Sequence, residues 1–217
     1  MPVITISRQF GAAGVPVGRA LAEKLGADFL DRAIVAQVAV RSGIPETELE
    51  TYDERLPSFW QRVAAALTTS SPEVAMPASY ADELTQLTTH DRLVAITRSV
   101  IEEAADRGNV VIVGRGAAFI LGRQAGTLHV QLHASLDARI RYLMSRIEDI
   151  PTETPLDEKS LRELSRSIDA ARADYVRRTF DADWLDARHY DLSVDTGRLG
   201  VDGTVEVIEA AVQALEA

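Results

Sequence analysis

The sequence predicts an α/β protein built on a parallel sheet, with a phosphate-holding loop at its amino end, and three observations carry that prediction. The chain opens on the β-branched run Val3-Ile4-Thr5-Ile6, passes through Ser7-Arg8-Gln9-Phe10-Gly11-Ala12-Ala13-Gly14, and enters a helical repeat from Val17 to Leu25. A second strand candidate, Ala27 to Leu30, follows at once, so strand and helix alternate as they do in a parallel sheet. Val110-Val111-Ile112-Val113 has the continuous apolar character of a strand buried on both faces, and Gly114-Arg115-Gly116 closes it.

The opening unit also carries a chemical expectation. A loop of small residues lets backbone N–H groups turn inward, and the start of the helix behind it adds about half a positive charge. An anion placed there is held by the main chain, through Ser7, Arg8, Gly11, Ala12, Ala13 and Gly14 with Arg19 nearby.

Composition narrows the partners. The 217 residues fit one domain or a core with a smaller lobe, and 46% hydrophobic with 26% charged residues suits a globular protein. No apolar run approaches the roughly 20 residues that span a bilayer, and the first residues show no signal pattern, so a cytoplasmic protein without a membrane partner is expected. The net charge of −10 argues against DNA or RNA as a partner, because a phosphate backbone rewards a basic surface. A small phosphorylated ligand needs only a few arginines, and arginine greatly outnumbers lysine here. With no cysteine there is neither a disulfide nor a thiolate, and the two histidines four residues apart, His129 and His133, fall in a strand pattern and not on a metal-binding helix.

Taken in order, the first helix carries Val17, Leu21 and Leu25 on one stripe and stops at Gly26. Asp31 can cap a second helix with Ile34, Val35 and Val38 inward, ending at Gly43. Residues 45–106 read as a helical insertion, with Phe59, Trp60, Val63 and Leu67 on one stripe. A looser stretch lies near Pro72 to Pro77, and a long helix runs through Leu93 to Ile101. Thr127 to His133 is the fourth strand. Ser135 caps a helix with Leu136, Ile140, Leu143 and Ile147 inward, which leaves Arg139, Arg141 and Arg146 on its other faces. A second helix from Asp157 to Arg178 completes a basic, hinged pair that looks like a closing lid over 135–189. Leu192 to Asp195 is the fifth strand, and Val205, Ile208, Val212 and Leu215 mark the last helix. The core is then 1–44, 107–134 and 190–217.

Four separated segments resemble the cytidylate kinase-like family: Ile4 to Gly11, Val113 to Gly116, Ile168-Asp169-Ala170-Ala171-Arg172 through Tyr175, and Asp183-Trp184 to Leu192. The resemblance covers almost the whole chain. It implies a P-loop NTPase-type three-layer fold with a five-stranded parallel sheet, a helical acceptor-binding insertion and an arginine-bearing lid. It also implies transfer of the γ-phosphoryl group of ATP, with Mg2+ carried by the nucleotide, to a nucleoside monophosphate. The roles it implies are Arg8, Arg115 and Arg172 in catalysis, Asp31, Arg115, Asp169 and Arg172 at the acceptor, and Arg139 and Arg146 in the lid.

The departures are specific. The lysine and hydroxyl of a standard G-x-x-x-x-G-K-[ST] loop fall on Gly14 and Pro16, neither of which can supply them. Either Arg8 or Arg19 replaces the positive charge, or the loop holds a phosphate without driving transfer, as in a nucleotide or phosphometabolite sensor of the same fold. Gln37 and Gly116 stand where true cytidylate kinases carry Arg and Asp. For Asp169 and Arg172 a local ion pair across one helix turn is the plainer reading, and for Asp31 a plain helix cap. Trp184 and Tyr190 are expected to anchor the return of the lid to the fifth strand.

Overall fold

The computed structural model describes residues 2–31, 89–147 and 157–216. The expected helix after Asp31, most of the insertion including the Phe59 stripe, and the Ile150 to Pro155 break lie outside them.

Five parallel strands form one sheet in the order β2-β3-β1-β4-β5. They are β1 (Val3–Arg8), β2 (Asp28–Leu30), β3 (Val110–Val113), β4 (Thr127–His133) and β5 (Leu192–Asp195). β1 lies in the middle, with Ile6 opposite Val113 on one side and Val130 on the other. The loop that leaves β1 therefore emerges between the carboxyl ends of β3 and β4, where open α/β sheets hold their ligands.

The side-chain alternation of β1 divides the core. Ile4 and Ile6, with Val111, Val113, Leu128, Val130 and Leu132, face α1 (Gly14–Leu25) and the last helix, α6 (Thr196–Glu216), which place Val17, Leu21, Val205, Ile208 and Val212 against them. Val3, Val110 and Ile112 point the other way, onto α2 (Thr89–Arg107) and the short α3 (Ala117–Leu121) through Ile96, Val100, Ile101, Ala117 and Leu121. This is the three-layer arrangement the sequence predicts. No described helix is long and apolar enough to cross a membrane.

α1 starts three residues earlier than the periodicity indicates. Gly14, Val15 and Pro16 form its first turn, where a proline removes an N–H that has no helical partner anyway. Gly26 ends α1 in the left-handed conformation, and Ser135 caps α4 (Leu136–Met144) by accepting from the Ala138 N–H, both as the sequence indicates. α5 (Glu158–Phe180) is capped by Asp157. α4 and α5 share a small apolar cluster of their own, made of Ile140, Leu143, Leu161 and Ile168, and its fifth member is Phe10 from the loop. Phe10 is only 7% exposed.

Candidate active site

The loop between β1 and α1 presents unused donors. Ala13 sits at the N-cap with φ 52°, and its methyl side chain offers no capping acceptor. The N–H groups of Gly11, Ala13, Gly14 and Val15 make no hydrogen bond to the described residues, while Val17 and later amides return to the helix. An anion is the natural complement to such a row, because it satisfies the orphan donors and lies at the positive end of the helix dipole. Two amides of the expected cradle are already engaged. Ala12 donates to the Gln9 carbonyl at 3.2 Å and Phe10 to the Asp169 carboxylate at 2.8 Å. The expected Ala12 donor is thus used inside the turn, and Val15 takes a place the sequence did not assign.

Arg8 crosses this loop. A Cβ built on Gly14 would lie 2.5 Å from Arg8 Cγ, and one on Gly114 would fall onto the Arg8 guanidinium, 2.8 Å from its Cζ. The arginine stem therefore fills the space a side chain at position 14 would need, and its head rests on the end of β3. Arg19 is elsewhere. It is exposed on α1 with its guanidinium 4.9 Å from the centre of the Phe29 ring, so of the two candidate replacement charges only Arg8 reaches the loop.

At the end of β3 the backbone turns through three successive residues with positive φ, Gly114 at 86°, Arg115 at 58° and Gly116 at 70°. For a residue with a side chain this left-handed conformation costs about 1 kcal/mol. Among the described residues Arg115 has no carboxylate partner, and its Nε is buried without a hydrogen bond. Asp31 follows β2 at its carboxyl end, and the helix it was expected to cap lies outside the described residues.

Several expected roles change. Arg139 is not on a solvated face of α4: its side chain is 8% exposed and its Nη1 donates to Asp169 at 2.6 Å and to the Phe10 carbonyl at 3.0 Å. The periodicity misplaced it because the loop, not solvent, lies against that face. Both Asp169 oxygens are engaged within the protein, one accepting from the Phe10 N–H and the other from Arg139. Arg172 stands 3.7 Å from Asp169 and donates to the Arg8 carbonyl at 2.9 Å. Burial pushes the Arg172 guanidinium down to about 10, against the pull of Asp169 and with repulsion from Arg139, so it remains charged at neutral pH. Arg146 stays exposed and leans on Tyr142, with its guanidinium 5.8 Å from the ring centre.

Ser7 points away from the loop mouth. Its Oγ accepts from Trp184 Nε1 at 2.7 Å and lies 3.2 Å from Tyr190 Oη, which donates its own proton to the Trp184 carbonyl at 2.8 Å. The two aromatics do anchor the chain returning to β5, and their partner is the residue expected to contact phosphate. Burial drives the Tyr190 phenol up to about 12, with Ser7 pulling the other way.

Sequence reasoning missed three supports of the loop. Gln9 accepts from Ala134 N–H through Oε1, Thr196 Oγ1 lies 3.3 Å from the carbonyls of both Ala12 and His133, and Phe10 plugs the α4–α5 pair. Phe10 had a readable signal, being one large apolar side chain in a loop of small residues.

A phosphate loop between β1 and α1, a central β1 and a basic helix pair define the chain as a kinase-type P-loop α/β protein. The solved structures agree on the fold. An uncharacterized protein from Eubacterium ventriosum superposes with a TM-score of 0.64 at 20% identity, covering 98% of this chain and 99% of that one. Shikimate kinase from Bacteroides thetaiotaomicron gives 0.52 at 16% identity, covering 98% of each. Residues 3–198 match the cytidylate kinase-like family, and the chain belongs to it. A cytidylate kinase from Methanopyrus kandleri is 31% identical over 124 residues, which is 52% of this chain and 59% of that protein. The chain spans less than two thirds of the length of the curated relatives it matches.

Proposed function

We propose that the protein transfers the γ-phosphoryl group of ATP to the phosphate of a nucleoside monophosphate. The observation that carries this reading is the row of unused amides at Gly11, Ala13, Gly14 and Val15, with Arg8 laid across it. Those amides would hold the donor phosphates, and Arg8 would supply the charge that Gly14 cannot. Arg115, without a carboxylate partner among the described residues and held in a costly backbone conformation, would hold the acceptor phosphate, and Arg172 would neutralise charge on the transferring group.

An acceptor phosphate oxygen attacks the γ-phosphorus, the bond from that phosphorus to the β,γ-bridging oxygen breaks, and ADP leaves with the electron pair. Little covalent help is needed, so the residues act by placing the two phosphates in line and balancing their charge. Magnesium, arriving with the nucleotide, would neutralise donor oxygens. Such an ion would be held chiefly by phosphates and water.

The test is ADP release measured with ATP and each common nucleoside monophosphate, beside calorimetric ATP binding. Turnover with at least one monophosphate is expected. Binding of ATP without turnover on any of them would instead support a phosphate-binding sensor, in keeping with Gly14 and Pro16. Absence of ATP binding would overturn both readings.

A further inference from the structure

The resemblance implies that Asp169 meets the acceptor, yet in this fold its carboxylate is bonded to the loop after β1. Its two oxygens join the Phe10 amide at 2.8 Å to Arg139 at 2.6 Å, and Arg139 closes the ring by donating to the Phe10 carbonyl at 3.0 Å. One residue of the phosphate loop is thus gripped at both its N–H and its C=O by side chains from α5 and α4. The grip continues on either side. Arg172 donates to the carbonyl of Arg8, and a Cβ on Gly11 would lie 3.0 Å from Arg139 Cβ and 3.2 Å from the Arg139 carbonyl. The Phe10 ring fills the apolar seam of the same helix pair.

We infer that Arg139 and Asp169 are positioning residues for the donor phosphate site: they fix the main chain of Phe10 so that the amides just beyond it, from Gly11 to Val15, stay aimed at the donor. The inference rests on the proposed function and adds to it which substrate these two residues govern. The physical argument is about preorganisation. A glycine- and alanine-rich loop has many accessible conformations, and an anion that must first order it loses affinity to that ordering. Clamping one peptide unit on both faces removes that loss.

Charge balance shows why the clamp has this composition. A bare carboxylate beside a phosphate loop would repel the ligand. Here Asp169 is flanked by Arg139 and Arg172, and two guanidinium groups against one carboxylate leave the set with a single positive charge. The pair therefore braces the loop without opposing an anion.

The experiment compares Asp169→Asn, Asp169→Glu, Arg139→Lys and Ile168→Val with the wild type. Three quantities are read: the dissociation constant of Mg·ATP, that of inorganic tripolyphosphate, and that of CMP as acceptor probe. Asp169→Asn keeps an oxygen for the Phe10 amide and loses the charged bond to Arg139. It is expected to weaken ATP and tripolyphosphate about tenfold while leaving CMP within twofold, and to speed hydrogen exchange at the Phe10 amide. Arg139→Lys should act in the same direction, and Asp169→Glu should recover part of the loss. Ile168→Val loosens the apolar seam around the Phe10 ring while leaving both charged bonds of the clamp in place, and should change none of the three constants by more than twofold. A tenfold loss confined to CMP would overturn the inference and return Asp169 to the acceptor. Tighter ATP binding by Asp169→Asn would also overturn it, since the carboxylate would then be a competitor for the amide. Equal losses in Ile168→Val and Asp169→Asn would reduce the clamp to general packing. A wild type that binds neither ATP nor tripolyphosphate would overturn the proposed function and this inference together, whereas wild-type binding with an unaffected Asp169→Asn would overturn only the inference.

Discussion

Gly114→Ala separates the shape of the site from its stability. The backbone at position 114 has φ 86°, and a methyl group there would fall onto the Arg8 guanidinium. The first consequence is a strain of about 1 kcal/mol for an alanine with positive φ, or a fall of about 2–4 °C in Tm for a chain of this size. The second is displacement of Arg8. The colliding atoms belong to the far end of a flexible side chain, so the fold yields at Arg8 and not in the sheet. If Arg8 makes a charge-assisted hydrogen bond to a donor phosphate, moving it costs about 1.5–3 kcal/mol of binding, which is about 10- to 150-fold in the dissociation constant. Calorimetric titration of Mg·ATP against wild type, Gly114→Ala, Arg8→Ala and the double variant measures this. In the double variant the Gly114→Ala loss should vanish, because its target is already gone. Undiminished ATP affinity in Gly114→Ala, or an equal further loss on the Arg8→Ala background, would refute the placement of Arg8 at the donor.

Other predictions follow from the same geometry. Arg115→Ala should raise KM for the monophosphate at least tenfold and leave ATP binding within twofold, measured by ADP release and calorimetry; a matching loss for ATP would contradict an acceptor role. Ser7→Ala leaves the Trp184 indole N–H without its acceptor, so urea unfolding should show a loss of about 1–3 kcal/mol while ATP affinity holds. The raised phenol of Tyr190 gives a pH signature. Its folded value near 12 lies above the ordinary 10, so its share of stability is complete below about pH 10 and declines as pH climbs through 10 towards 12. The stability difference between wild type and Tyr190→Phe should therefore shrink over that range in urea titrations, and a constant difference would rule the phenol out as its cause.

Much of the fold was legible because its signals are local. The apolar run of β3, the glycine stop of α1 and the Ser135 cap each depend on neighbours within one turn or strand, and each appears where the sequence indicates. The loop between β1 and α1 was legible for the same reason. What the sequence concealed were contacts between distant segments. Arg139 and Asp169 are 30 residues apart, and Phe10 lies 159 residues from Asp169. Helical periodicity puts Arg139 on a polar face, and nothing local says that the loop covers that face. Ser7 likewise looks like a loop hydroxyl until Trp184, 177 residues later, folds over it. Arg19 misled for the opposite reason: closeness in sequence suggested closeness to the loop, while one turn of helix carries it round to Phe29.

The most direct test of the central claim is a titration of the 15N-labelled protein with Mg·ATP, followed at individual amides. The account predicts saturable shifts at Gly11, Ala13, Gly14 and Val15 with a common dissociation constant, and smaller changes at Ala12, whose N–H already serves Gln9. Saturation elsewhere in the protein with these four amides unmoved would contradict it.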